Sequence, residues 1–153
     1  MSSAILLIVA VAAMFGWVLS VEQVPQSMTR WMLSISTEPW VLLLLVNLLL
    51  LIVGMFLDSA TAILVIAPIL AKPLVAAGVD PVHLGMVVVF NLMIGLVTPP
   101  MGLALFLVAD IAKVSMRDVL RAMVPYYLPL FLTLALITFV PAVSLWLPRW
   151  AVG

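Results

Sequence analysis

Apolar runs dominate this chain, and its few polar residues punctuate them. Residues 4–20, AILLIVAVAAMFGWVLS, are 17 uncharged positions, at the short end of a membrane-spanning helix. The period then changes. In 21–37, VEQVPQSMTRWMLSIST, Val24, Met28, Trp31, Met32 and Ile35 recur at helical spacing, with Glu22, Gln23, Gln26 and Arg30 between them. Such a stripe beside a tryptophan predicts a helix lying in the membrane interface. Residues 39–58, PWVLLLLVNLLLLIVGMFLD, enter on Pro39 and Trp40 and stop near Gly54 and Asp58. SATAILVIAPILAKPLVAAG, 59–78, resumes the apolar run and leads into the turn Gly78-Val79-Asp80-Pro81. The stretch 81–94 is apolar again, halts at GLVTPPMG (95–102), and restarts as LALFLVADIA (103–112). After a basic, amphipathic KVSMRDVLRAM (113–123), the run YYLPLFLTLALITFVPAVSLW has aromatic residues at both ends. It predicts a transmembrane helix over 126–148.

Segment lengths sharpen this outline. Pro39 to Gly54 is about 16 residues, roughly 24 Å of helix, which falls short of a ~30 Å hydrocarbon core. Pairing it with 59–77 gives a re-entrant hairpin over 39–77 with its tip at GMFLD. Reading 39–57 as a full span with Asp58 as an interfacial cap fits the same length, and the two stay open. Residues 81–112 are expected to cross as one helix broken in the middle. Three of the six basic residues, Lys113, Arg117 and Arg121, fall in one loop, which places that loop in the cytoplasm. Arg30 and Lys72 then lie outside, so the bias is modest.

Composition decides the solvent. Hydrophobic residues make up 67% of the chain and charged ones 8%, against about 25% charged in soluble domains. With mean hydropathy at +1.43, the expected fold class is all-α transmembrane. Residues 2–20 lack the basic start and small-residue cleavage site of a signal peptide and read as a span. Net charge is zero, which leaves no electrostatic footprint for nucleic acid. With no cysteine and a single histidine, His83, disulfides, thiolate chemistry and histidine-rich metal sites are excluded. An intramembrane aspartyl protease needs two carboxylates sharing a site, and Asp58 alone lies deep. A metal hydrolase is likewise starved of ligands.

Two features carry chemistry. Non-helical backbone at membrane depth survives only when buried in protein or lining a polar cavity, and transporters use such breaks to meet ions and substrates. In GLVTPPMG, Gly95 and Gly102 permit unusual backbone angles. Pro99 and Pro100 withdraw two N–H donors and free the carbonyls those would have bonded, and Thr98 adds a hydroxyl oxygen. A hard cation would find several oxygens within a few residues. The plainer alternative is a proline kink whose freed carbonyls are satisfied by neighbouring helices. Asp58, costly in hydrocarbon, is expected to face a cavity or partner, with Ser59 and Thr61 beside it as cavity or cap residues. Asn47 and Asn91 are expected to hydrogen-bond between helices, and Asp110 and His83 to lie near the interface.

GMFLDSATAILVIAPIL, then GVDPVHLGMVVVFNLMIGLVTPPMGLALF, a basic loop, and FVPAVSLWLP, in this order, resemble the large membrane subunit of tripartite ATP-independent periplasmic (TRAP) transporters. The resemblance extends over essentially the whole chain, with G-x-x-x-D and G-x-x-TPP-x-G as its specific motifs. It implies one half of an inverted-repeat, elevator-type transporter. The repeat would hold a re-entrant hairpin and a discontinuous helix, and would import small organic acids such as C4-dicarboxylates or sialic acid. It implies sodium as coupling ion, no other cofactor and no enzymatic activity. A complete large subunit is far longer, so the chain reads as the C-terminal repeat alone. The partners implied are the missing N-terminal repeat, a small membrane (Q) subunit and a periplasmic substrate-binding protein (P subunit), in a bacterial inner membrane. By the same resemblance, Gly54, Gly95, Thr98 and Met101 surround the cation. Asp58, Ser59, Thr61, Asn91, Pro99, Pro100 and Gly102 stand where substrate would be met. The alternative is a structural or assembly subunit, or an inactive fragment, without its own transport site.

Overall fold

A computed structural model describes residues 14, 17, 18, 21–57, 59–100 and 102–152. The expected span 4–20 therefore lies outside the described residues apart from Met14, Trp17 and Val18. Among the described residues the chain is all helical. The helices are α1 (Val24–Ile35), α2 (Pro39–Phe56), α3 (Ser59–Ala76), α4 (Pro81–Leu96), α5 (Leu103–Ala112), α6 (Met116–Phe139) and α7 (Pro141–Val152).

Local chemistry sets most of these boundaries. Prolines open α2, α4 and α7, where the missing N–H costs nothing because the first turn has no partner for it. The Asp80 carboxylate caps α4, accepting from the backbone N–H of Val82 at 2.8 Å and of His83 at 3.3 Å. Ser115 caps α6. Its hydroxyl accepts from the Asp118 N–H at 3.3 Å and donates to the Asp118 carboxylate at 2.6 Å.

α2, α3 and α4 make the centre of the molecule. Leu42, Leu43, Val46 and Leu50 of α2 bury against Leu84, Val88 and Leu92 of α4, with Leu70 and Leu74 of α3 completing the cluster. Met32 of α1 closes it on the α3 side. α2 and α3 form a hairpin: Gly78 and Val79, at the end of α3, share a cavity with Pro39 and Trp40, at the start of α2. α4 runs parallel to α2, because Asn91 meets Asn47 and, one turn later, Gly95 meets Gly54. The opposite face of α2 is different. Leu44, Leu48 and Ile52 recur every four residues and are each more than half exposed. A stripe of that kind needs lipid or another protein surface to cover it. Among the described residues three helices, α2, α3 and α6, are long and apolar enough to cross a membrane.

The observed elements bear on several of these expectations. α2 runs through Gly54 to Phe56, and its 18 residues reach about 27 Å, so length still leaves the hairpin and the span both open. The helix beginning at 126 in the sequence reading starts ten residues earlier at Met116, because Ser115 supplies a cap, and it ends at Phe139 before Pro141. The predicted 126–148 segment is therefore parts of two helices. His83, on the first turn of α4, is buried, with Nδ1 3.2 Å from the Ser144 hydroxyl on α7. Asp110 is exposed near the end of α5 and pairs with Lys113 at 3.1 Å.

Candidate ion site at the broken helix

Helical bonding fails after Leu96 for a reason visible in the sequence. Pro99 and Pro100 cannot donate, so the carbonyls they would have bonded lose those helical partners. The chain tightens instead: the Val97 N–H donates to the Ile94 carbonyl at 3.1 Å and the Thr98 N–H to Gly95 at 2.9 Å. The Pro99–Pro100 peptide is cis. Gly102 then takes a left-handed conformation, with φ near +49°, and accepts from the Leu105 N–H at 2.7 Å as α5 begins. A side chain there would be strained by the backbone and would press on Leu105.

The break faces the end of α2. A Cβ added to Gly95 would lie 2.7 Å from the Gly54 Cα and carbonyl carbon, and one added to Gly54 would lie 3.2 Å from the Gly95 Cα. In both cases the neighbour is backbone, so this approach requires glycine at 95 and is tight against any side chain at 54. Thr98 lies beside them. Its hydroxyl donates to the Ile94 carbonyl at 2.6 Å, which leaves the oxygen's lone pairs free to face a cation. The Gly95 carbonyl accepts from the Thr98 N–H at 2.9 Å and is also reached by the Val97 N–H, which it shares with Ile94. Among the described residues there is no cluster of three or more His, Cys, Asp or Glu side chains.

Three of the four cation-site candidates, Gly54, Gly95 and Thr98, are thus brought together; Met101 lies outside the described residues, as does Asp58. The substrate candidates are scattered by comparison. The Ser59 hydroxyl donates to the Met93 sulfur at 3.7 Å, bridging α3 and α4. Thr61 sits half-buried on the first turn of α3, Pro99 and Pro100 are exposed, and Gly102 is buried. Asn91 lies between helices. Fully buried, it donates to the Asn47 carbonyl at 3.0 Å and the Asn47 Oδ1 at 2.6 Å. Asn47 in turn donates to the Thr138 hydroxyl of α6 at 2.9 Å, so the pair joins three helices. The Asn91 Oδ1 has no partner among the described residues.

The family model described as "Tripartite ATP-independent periplasmic transporter, DctM component" matches residues 1–143. The chain belongs to this DctM family. It is 41% identical over 146 residues, covering 95% of this chain and 34% of the relative, to a C4-dicarboxylate TRAP transporter large permease protein of Pseudomonas aeruginosa. It is 41% identical over 152 residues, 99% of this chain and 36% of the relative, to a sialic acid TRAP transporter large permease protein of Vibrio cholerae. A putative dicarboxylate transporter subunit of Paracoccus pantotrophus is 42% identical over 150 residues, which are 97% of this chain and 71% of that one. The chain spans about a third of the length of the two large permease relatives.

One residue of this DctM chain joins the site from outside the motifs. The Tyr127 hydroxyl of α6 donates to the Val97 carbonyl at 2.8 Å. In the sequence, Tyr126 and Tyr127 read as interfacial aromatics opening a helix. Because α6 starts at Met116, Tyr127 stands eleven positions in, about 16 Å along the helix. Nothing local in the sequence links it to a carbonyl 30 residues away.

Proposed function

We propose that this chain forms part of the membrane subunit of a sodium-coupled, binding-protein-dependent importer of small organic acids. In this reading the end of α2 and the break between α4 and α5 hold the coupling ion. The observation that carries it is the backbone contact of Gly54 with Gly95 at the very place where the helix is broken. Close glycine crossings occur in membrane helices for packing alone. Here the crossing brings backbone from two elements together beside oxygens that helical bonding has released, which is how unwound segments in transporters coordinate sodium.

The ion would see the carbonyls of Gly54, Gly95 and Met101 and the oxygens of Thr98. A neutral cage of this kind releases its ion more readily than several carboxylates would. Sodium would draw the two backbones together and complete a pocket for a substrate carboxylate, formed with Ser59, Thr61, Asp58 and the N–H groups at the start of α5. Asn91 keeps only an indirect part, holding α4 against α2. The organic-acid class is supported by the relatives named for C4-dicarboxylate and sialic acid.

The chain would act as the C-terminal repeat of an inverted pair in a bacterial inner membrane, with α2 and α3 as a re-entrant hairpin. It would work with the other repeat, a periplasmic binding protein and a Q subunit. A relative named as an isethionate TRAP transporter permease protein DctMQ supports the last of these. The test is sodium-dependent uptake by the complete complex in proteoliposomes. Gly95→Val should abolish it. Wild-type sodium affinity and rate in that variant would reduce the break to a kink and favour a structural subunit without a site of its own.

A further inference from the structure

We infer that Tyr127 is a positioning residue for the ion site, the clamp through which α6 fixes the orientation of the broken helix. The inference rests on the ion-site reading above. Its basis is a single peptide unit held at both ends. The carbonyl of Val97 accepts from the Tyr127 hydroxyl at 2.8 Å, and the N–H of the same peptide, on Thr98, donates to Gly95 at 2.9 Å. A peptide plane with both poles bonded cannot rotate without breaking one of them. Thr98 follows directly, and its hydroxyl is tied to Ile94 at 2.6 Å.

The tethers differ in origin. Those to Gly95 and Ile94 come from within four residues of Thr98 and move with the segment. The Tyr127 bond comes from a separate helix, so it alone of the three sets the break relative to the rest of the fold. It also has a consequence for ligand geometry. Val97 lies between Gly95 and Thr98, and its carbonyl would otherwise compete to face the ion or turn toward lipid. The Tyr127 bond fixes the direction of the Val97 oxygen, so α6 decides how the carbonyls of this turn are presented to the ion. The ring itself is steadied by Phe131, whose centroid lies 6.4 Å away in a tilted arrangement. Merely satisfying a freed carbonyl would be reason enough for a tyrosine at membrane depth. A positioning role predicts something more: the hydroxyl tunes sodium affinity beyond its effect on folding.

The experiment uses the complete transporter, purified with its partner subunits, and reads two quantities. One is the sodium concentration giving half-maximal thermal stabilisation, with choline replacing sodium. The other is half-saturating sodium for uptake in proteoliposomes, alongside half-saturating substrate at high sodium. Tyr127→Phe removes one hydroxyl and keeps the ring. One hydrogen bond's net worth corresponds to a rise of about three- to tenfold in half-saturating sodium by both readouts, with substrate half-saturation at high sodium unchanged. Tyr126→Phe, at an exposed neighbour, should change neither. Phe131→Leu, which loosens the ring but leaves the hydroxyl, should shift sodium the same way by less, and it serves if Tyr127→Phe does not accumulate. If wild type responds to sodium and Gly95→Val does not, while Tyr127→Phe and Phe131→Leu match wild type, the clamp is wrong and the ion site stands. If wild type melts and transports identically in sodium and choline, both fall together.

Discussion

Two of the breaks after the start of α4 contain proline, and they are built differently. Between α6 and α7 the break is one residue long. The Val140 N–H still donates to Leu136 at 2.9 Å, and Val140 accepts from Val143 at 3.0 Å as Pro141 starts the next helix. Between α4 and α5 it takes six residues, from 97 to 102, and draws in a glycine of α2 and a tyrosine of α6. Proline alone does not account for the difference. Pro68 and Pro73 in α3, and Pro125 and Pro129 in α6, sit inside helices that continue through them. What distinguishes the long break is two adjacent prolines with glycines on both sides, together with tertiary partners that hold the resulting turn open. The short break only changes the direction of a helix, while the long one lies against the backbone of a neighbouring helix.

The glycine pair gives the largest expected effect. A methyl at Gly95 would stand 2.7 Å from Gly54 backbone atoms, whereas a methyl at Gly54 would stand 3.2 Å from its nearest neighbours. The first must push two backbones apart, and the second needs a shift of a few tenths of an ångström. Gly95→Ala should therefore cost about 1–3 kcal/mol of overpacking and raise half-saturating sodium by at least tenfold. Gly54→Ala should do markedly less by the same uptake and melting measurements. Equal effects would mean that the crossing is set elsewhere.

The next effect belongs to the other end of the same crossing. Asn91→Ala would leave the Asn47 carboxamide oxygen without its donor in a partly buried place, a loss of about 1 kcal/mol. Thermal melting of the complex should fall, while half-saturating sodium should change less than twofold. A large sodium shift with little change in melting would move Asn91 from scaffold to site.

These contrasts show which parts of the molecule the sequence could reveal. The pattern of apolar runs is enough to place α2 through α5, because proline, Asp80 and the Thr-Pro-Pro break act locally. The ends of α6 were hidden for the opposite reason. Charged positions such as Arg117, Asp118 and Arg121 read as a loop, yet Ser115 caps a helix that simply carries them on its first turns. At the site, Gly95 and Thr98 are legible because their chemistry is encoded within eight residues. The contact of Gly54 with Gly95 could be guessed only from a family likeness. Tyr127 and the burial of His83 against Ser144 are purely tertiary, depending on how far along its helix each residue lands, and no nearby residue signals them.

Thr98 is expected to give a smaller effect than the glycines. Thr98→Ser keeps the hydroxyl that bonds Ile94 at 2.6 Å and should behave nearly as wild type. Thr98→Val keeps the shape and loses the oxygen. It should raise half-saturating sodium several-fold, since one neutral ligand among several is removed, while substrate half-saturation at high sodium stays put. If Thr98→Val is silent, the ion is held by backbone alone.

The smallest effect is expected at the short break, and it tests the comparison itself. Pro141 opens α7 immediately after Val140, and its loss restores an N–H able to bond the Ile137 carbonyl. Pro141→Ala therefore removes the local reason for the interruption without opening a cavity against backbone. The angle between α6 and α7 is held by other contacts as well, including the Ser144 hydroxyl on His83 and the stacking of Phe139 on Trp40 with centroids 6.1 Å apart. Melting should consequently move by no more than the ~0.5 kcal/mol typical of changes outside cores and networks, and half-saturating sodium should not move. A proline that merely bends a helix can be replaced. If Pro141→Ala instead disturbs sodium dependence as strongly as Gly95→Ala does, the two breaks are mechanically linked through α6, and the contrast between a bend and a site fails.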